Sequence, residues 1–392
     1  MEKYNFDELI DRRNASSYKW DVKDNELPMW VADMDFKVAP KIIDAIKRRT
    51  DIAAYGYCSV PKEYFKSYSN WWKHRHGVVI KNDELVFCTG VLAALDSIFK
   101  HFVKEGSGVV VSTPMYHAFF NCIRNNNLQI VSNKMIYKNN EYFIDFENLE
   151  KLLALDSTKV YLLCNPHNPI GKIWSKEDLK HIADLCEKYD VLLISDEIHC
   201  DIVEPGYKYN SIFTVTDKAV VLISPTKAFN LAGVQMSCIA CKDKKLKEEL
   251  QTAVYKDDVG EANYFSPYAA ISAYNECEDW LVQMNEYVFN NKRYLVEFIK
   301  NELPNIKVID NKATYLLWLD ISYYTKNSKE FADNLRKNTG LFVSPGSQFG
   351  DGGETFLRIN IATSLANVKD ACSRLKKLLE KGYVDTPYRD KY

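Results

Sequence analysis

Two spacings of apolar residues alternate through the middle of this chain. "KVYLLCNP", Lys159–Pro166, is a short unbroken apolar run ending in Asn and Pro, and it reads as a buried strand. "SKEDLKHIADLCEKY" follows, with Leu179, Ile182, Ala183 and Cys186 at helical spacing. Ser175 is placed to cap that helix, with Asp178 near the capping-box position. "DVLLISDE" and "KAVVLISPTK" read as two further strands. Earlier, "ELVFC", the turn Thr89-Gly90 and the helical run "VLAALDSIFKHF" repeat the grammar. Strand, helix, strand at this spacing predicts an α/β fold with a mainly parallel sheet covered by helices.

After about residue 285 the pattern changes. Charged helices appear ("NKRYLVEFIKNEL", "SKEFADNLRKNTG") with short alternating strands ("YLLWLDI", "TFLRINIA"). The predicted division is an N-terminal segment, 1–45, packing on a small α+β domain, 285–392, with a large domain, 46–284, between them.

Composition narrows the function classes. A length of 392 residues with 46% hydrophobic residues supports a substantial core and excludes general disorder. A formal charge of −2 gives no global field for nucleic acid or an anionic membrane. The start, "MEKYNFDELIDRR", lacks the apolar stretch of a signal peptide, and no run approaches the roughly 18 apolar residues of a membrane helix. The ten cysteines are irregularly spaced and mostly sit in apolar segments, which predicts buried, reduced thiols in the cytoplasm. In "CIAC", Cys238 and Cys241 read as strand residues on opposite faces and not as a metal pair. No metal site is expected. His74 and His76 read as helix-surface residues, and Glu197 as structural.

Polar residues collect where the strands stop. Thr89-Gly90, "NPHNPIG" (Asn165–Gly171), "SDEIH" (Ser195–His199) and "SPTK" (Ser224–Lys227) each follow an apolar run. In an open α/β sheet ligands bind beyond the carboxyl ends of the strands. A helix N-terminus after a glycine turn suits a phosphate, and Ser224 can add a hydroxyl. Asp196 can pair with a cationic ring nitrogen, Asn168 with a phenolate oxygen, and Lys227 can form an imine with an aldehyde. A molecule with a phosphate, a pyridine nitrogen, a phenol and an aldehyde is pyridoxal 5′-phosphate.

These motifs, in this order and with Lys227 following Asp196 by 31 positions, make the chain resemble the fold type I pyridoxal-phosphate enzymes. "LPMWVADMDF", "YGYCSVP" (Tyr55–Pro61) and His199 resemble, more narrowly, the MalY/PatB-type cystathionine β-lyases, or carbon–sulfur lyases. The resemblance covers nearly the whole chain and implies a mainly parallel seven-stranded sheet in the large, cofactor-binding domain. It implies that Lys227 holds the cofactor as an imine and then serves as the acid and base on substrate, with Asp196 on the ring nitrogen. Asn168 is implied at O3′; Gly90, Val91, Leu92 and Ser224 at the phosphate; Tyr116 stacked on the ring. Tyr57 is implied to reach the phosphate of the neighbouring subunit in a homodimer, and Arg358 to clamp the substrate carboxylate. Trp30 and Asp33 are placed near the substrate by the same resemblance.

Two positions depart from related enzymes. Where many aminotransferases of this fold carry an arginine eight residues after the lysine, this chain has Gln235. Where tyrosine often stands at the third position after the aspartate, it has His199, placed to bond the ring oxygen or the aspartate. The expected reaction is α,β-elimination from cystathionine or a cysteine-type substrate, giving a thiol, pyruvate and ammonia. An aminotransferase would use the same residues. A protein that binds a transcription factor through its surface is an alternative of another class.

Overall fold

The computed structural model describes residues 3–380. Seven strands form the central sheet. In chain order they are β1 Leu85–Cys88, β2 Gly108–Thr113, β3 Gln129–Lys134, β4 Thr158–Cys164, β5 Leu192–Asp196, β6 Val220–Ile223 and β7 Ser237–Cys241. Their spatial order is β1-β7-β6-β5-β4-β2-β3. Strands β6, β5, β4, β2 and β3 pair parallel, and β7 runs antiparallel to both of its neighbours. This is the mainly parallel seven-stranded sheet expected above.

The unbroken apolar runs exist because the sheet is covered on both faces. On one side Val160, Leu162, Ile194, Val220 and Leu222 pack on helix α1 (Val91–Phe102) through Ala94, Leu95 and Ile98. On the other, Tyr161, Leu163, Leu193, Val221 and Ile223 pack in the core that holds Trp71, Phe229 and Trp280. Cys238 belongs to one of these cores and Cys241 to the other, as odd spacing on a strand requires. All ten cysteines are free thiols.

Register places the polar strand ends. Asp196 lies opposite Cys164 on β4 and Leu222 on β6. A one-residue slip would turn every side chain of β5 to the opposite face and so carry Asp196 away from its place at the strand end. Helix α2 (His117–Asn125) follows β2, and α3 (Lys176–Lys188) links β4 to β5. Ser175 Oγ accepts the Asp178 N–H at 2.9 Å, and the Asp178 carboxylate accepts the Ser175 N–H at 3.3 Å, the reciprocal cap read from sequence.

Helix α4 (Glu278–Glu302) crosses the expected junction at 284/285. Beyond it a second sheet forms from β8 Lys307–Val308, β9 Leu316–Asp320, β10 Ser344–Pro345 and β11 Phe356–Asn360, in the order β8-β9-β11-β10, all antiparallel. The N-terminal segment lies against this part. Leu27 and Pro28 pair parallel with Leu341 and Phe342, and the Asp35 N–H donates to Ala362 O at 2.9 Å. Residues 381–392 of the expected small domain lie outside the described residues.

Candidate active site

A cavity of about 290 Å³ opens at the carboxyl ends of β4, β5 and β6. It is lined by Thr89, Gly90, Val91, Leu92, Tyr116, Asn168, Asp196, His199, Thr226, Lys227 and Gln235. The chain order of these residues scatters them from 89 to 235; the parallel sheet gathers them because β4, β5 and β6 all end on one edge. A larger, open groove of about 720 Å³ lies at the amino ends of β4 and β5. Its Lys218 is already paired with Glu187, and the residues named for the chemistry are absent from it.

Lys227 Nζ donates to the carbonyl of Ala32 at 2.7 Å. Burial pulls its proton affinity down to about 8; Asp33 and Asp196 oppose that shift and Arg358 adds to it. Asp196 is 4% exposed and accepts one hydrogen bond, from the Ile198 N–H at 3.1 Å. Burial raises its carboxyl to about 7, against the effect of that bond. A carboxylate so placed calls for a cation that the chain does not hold within ion-pair distance among the described residues.

Helix α1 begins directly after Gly90, and no side chain caps its first turn. Its leading N–H groups therefore remain available to an anion. Ser224 directly follows β6. Its hydroxyl donates to Met236 O at 2.6 Å, and its oxygen receives the Thr226 N–H at 3.2 Å. Its oxygen also lies 2.8 Å from Thr226 Oγ1, and Thr226 lines the cavity beside it. Gln235 sits on the rim with a left-handed backbone, φ 58°.

Arg358 lies on β11 and shares its buried face with Phe356 and Asn360. Its Nη2 donates to Trp30 O at 2.8 Å, its Nη1 to Asn168 Oδ1 at 3.2 Å, and its guanidinium lies 4.8 Å from the Phe349 ring centre. Nε is buried without a partner among the described residues, and burial lowers the proton affinity of the guanidinium to about 10. No carboxylate pairs with it among the described residues. A buried, uncompensated cation costs several kcal/mol, which a ligand carboxylate would offset.

Tyr116 lines the cavity at the start of α2. His199 is buried, with Nδ1 unpartnered among the described residues; burial, then Lys227 and Arg358, lower its proton affinity to about 3, so the ring is neutral. Trp30 stacks on Phe342 at 4.9 Å, and Asp33 is paired with Arg12 at 2.7 Å. Tyr57 lies outside the cavity and is fully exposed. Glu197 is buried and accepts from Ser195, Ser211 and the Ile212 N–H.

Sequence reasoning placed His76 on a helix surface, and the structure corrects this. Its side chain is 5% exposed and meets the buried Asp201 at 3.0 Å, beside Arg75 and Trp71. His74 is exposed as expected. Tyr315 was missed; its hydroxyl donates to Ala32 O at 3.1 Å, the same acceptor that Lys227 uses.

Comparison with known proteins places these features in context. Residues 27–375 match the family described as aminotransferase class I and II. The chain is 35% identical to cystathionine beta-lyase PatB of Bacillus subtilis (strain 168), over 96% of this chain and 100% of that protein. It is 27% identical to protein MalY of Escherichia coli (strain K12), over 97% of each. Among solved structures, cystalysin from Treponema denticola, which contains a pyridoxal 5′-phosphate cofactor, matches with a TM-score of 0.93 and 33% identity, covering 97% of this chain and 100% of that one. The PLP-bound C-S lyase from Staphylococcus hominis matches with a TM-score of 0.90 and 33% identity, covering 96% and 98%.

Proposed function

The chain belongs to the aminotransferase class I and II family, and from that premise we propose that it is a pyridoxal-phosphate-dependent carbon–sulfur β-lyase. It acts on cystathionine or a related cysteine-type amino acid and releases a thiol, pyruvate and ammonia. The observation that carries this reading is the pairing, in one cavity, of a lysine whose proton affinity is lowered to about 8 with a buried carboxylate that lacks a cation. The full-length similarity to a protein named cystathionine beta-lyase supports elimination over amino-group transfer.

The residues fit the cofactor. Asp196 offers a carboxylate to a ring nitrogen, and the uncapped turn at Gly90, Val91 and Leu92 offers N–H groups to a phosphate. Ser224 and Thr226, whose hydroxyl oxygens lie 2.8 Å apart, offer hydroxyls near the anion seat. When bound, pyridoxal phosphate supplies an electron sink next to the substrate α-carbon. Lys227 takes the α-proton and can return it, because a group near 8 holds either state at neutral pH. Arg358 clamps the substrate carboxylate, already aimed by Trp30 O and Asn168 Oδ1. The Asn168 amide nitrogen is left to hold a ring oxygen. Tyr116 covers a ring face, and the neutral His199 lines the wall beside Asp196.

The reading extends to assembly and setting. Tyr57, Tyr55 and Ile52 form an exposed apolar stretch next to one another, which supports a homodimer in which Tyr57 enters the neighbouring subunit's site. Ten free thiols support a reducing, cytoplasmic setting. No helix among the described residues is long and apolar enough to cross a membrane. We read residues 1–45 as the segment that packs on the small domain and the active site, 46–284 as the cofactor-binding domain and 285–392 as the small domain.

The test is release of pyruvate from cystathionine by the cofactor-loaded protein with no keto acid added. Pyruvate should form, and Lys227→Ala should reduce its rate by at least about a thousandfold. A rate that depends on added 2-oxoglutarate would assign the protein to the aminotransferases instead. Sedimentation should find the dimer.

A further inference from the structure

The backbone from Trp30 to Asp33 meets the site through its carbonyls. Trp30 O holds Arg358 Nη2 at 2.8 Å. The Asn360 amide nitrogen bridges Val31 O at 2.6 Å and Asp33 O at 2.7 Å. Ala32 O holds Lys227 Nζ at 2.7 Å and Tyr315 Oη at 3.1 Å. On its outer side the same segment is tied by Arg12, whose Nη2 meets Asp33 Oδ2 at 2.7 Å and whose Nη1 donates to Met34 O at 2.9 Å. The two side chains of that pair are 26% and 20% exposed, so solvent reaches them.

We propose that the Arg12–Asp33 ion pair positions Lys227 and sets its charge environment: Arg12 fixes the backbone that presents Ala32 O to the free ammonium, and by pairing with Asp33 it limits the negative charge that ammonium meets. Both are positioning residues; neither lines the cavity. The charged and titratable groups facing Lys227 are Asp33, Arg358, Asp196 and His199, with the Tyr315 hydroxyl on the shared acceptor. Around Asp33 stand Arg12, Lys19 and Asp35; Lys19 Nζ donates to Asp33 O at 3.0 Å and pairs with Asp35 at 2.8 Å. Burial is the largest influence on Lys227, and Asp33 is the next, acting in the opposite sense by favouring the ammonium. Arg12 is therefore a handle on Lys227 that lies outside the ligand machinery.

The two halves of the pair predict opposite effects. Asp33→Asn removes an attraction and makes the ammonium easier to deprotonate. Arg12→Gln leaves the Asp33 carboxylate uncompensated and makes it harder. A pair that served only to hold the loop would shift both variants the same way, since both break the same bond.

The assignment rests on Lys227 carrying the proton in the proposed reaction, but its test needs neither cofactor nor turnover. Cofactor-free protein is labelled with trace acetic anhydride across a pH series, and acetylation of the Lys227 peptide is read by mass spectrometry. The wild-type midpoint should lie near 8. Asp33→Asn should lower it by roughly half a pH unit or more and Arg12→Gln should raise it by a similar amount, with Arg12→Lys close to wild type. Circular dichroism establishes that each variant is folded; if Asp33→Asn is not, the Arg12→Gln and Arg12→Lys comparison decides alone. Midpoints that move together, or an Arg12→Gln midpoint at the wild-type value, overturn the proposal and leave the lyase reading standing. Absence of pyruvate would sink that reading without touching the labelling result.

Discussion

Replacing Asp196 by Asn should stabilise the cofactor-free protein while disabling the loaded one. The side chain is 4% exposed and keeps one hydrogen bond, from Ile198 N–H, which an Asn oxygen can also accept. Its carboxyl is raised from the ordinary 3.8 to about 7, chiefly by burial. That gap of about three pH units, at ~1.4 kcal/mol each, is on the order of 4 kcal/mol. Because the folded-state value is the higher one, the folded protein binds the extra proton between about 4 and 7. Stability is thus fully present below pH 4 and is lost as pH rises to 7. Asn mimics the protonated form at every pH. The variant should match wild type near pH 4, gain less than half of the difference by pH 5, and hold most of it at pH 8. Urea unfolding of both cofactor-free proteins, followed by tryptophan fluorescence at pH 5 and 8, measures this directly. Titrating groups that do not interact with Asp196 cancel in the difference, while Lys227, whose ammonium Asp196 favours, offsets part of the gain. Equal stability at pH 8, or a difference that does not change with pH, refutes the argument that Asp196 is held at a stability cost for a cationic ligand. With cofactor bound, the same variant should lose roughly 10²–10³-fold in kcat, because the ring nitrogen loses its charged partner.

Further outcomes are expected. The rate at which cofactor-free protein takes up pyridoxal phosphate, followed by absorbance, should rise about tenfold per pH unit and level off above about 8, because only the neutral Lys227 amine attacks an aldehyde; a rise continuing to pH 10 would contradict the burial of Lys227. Arg358→Lys should lower kcat/KM by about 100-fold, ~2.7 kcal/mol, mostly through KM, since a single ammonium cannot reproduce a bidentate clamp. Initial rates across substrate concentration separate the two parameters. Phe119→Ala, at a fully buried ring 5.4 Å from Tyr116, should cost about 3–5 kcal/mol in urea unfolding.

Much of the fold was legible because its signals are local. The apolar run of β4, the Ser175–Asp178 cap of α3 and the odd spacing of Cys238 and Cys241 each depend on residues within a few positions of one another. The polar strand ends were legible too, because a polar residue stopping a buried apolar run has few places to go except the sheet edge. Ser224 was legible as the residue that ends β6, whereas its neighbour Met236 O was not, since that contact is set by how β6 and the following segment fold back. His76 looked like a surface residue because its partner, Asp201, is 125 positions away.

The sequence alone determined which chemical groups this protein can bring to a site: an amine in Lys227, a carboxylate in Asp196, a guanidinium in Arg358, each at the end or on the inner face of a strand. The tertiary structure alone decided the state in which they are held. Lys227 meets a carbonyl 195 positions away, and Arg358 one 328 positions away. Backbone carbonyls are the same at every residue, so no sequence pattern marks the ones that will be acceptors. Burial, too, belongs to the packed chain and not to any residue in it, and burial is the largest influence on the proton affinity of all three groups.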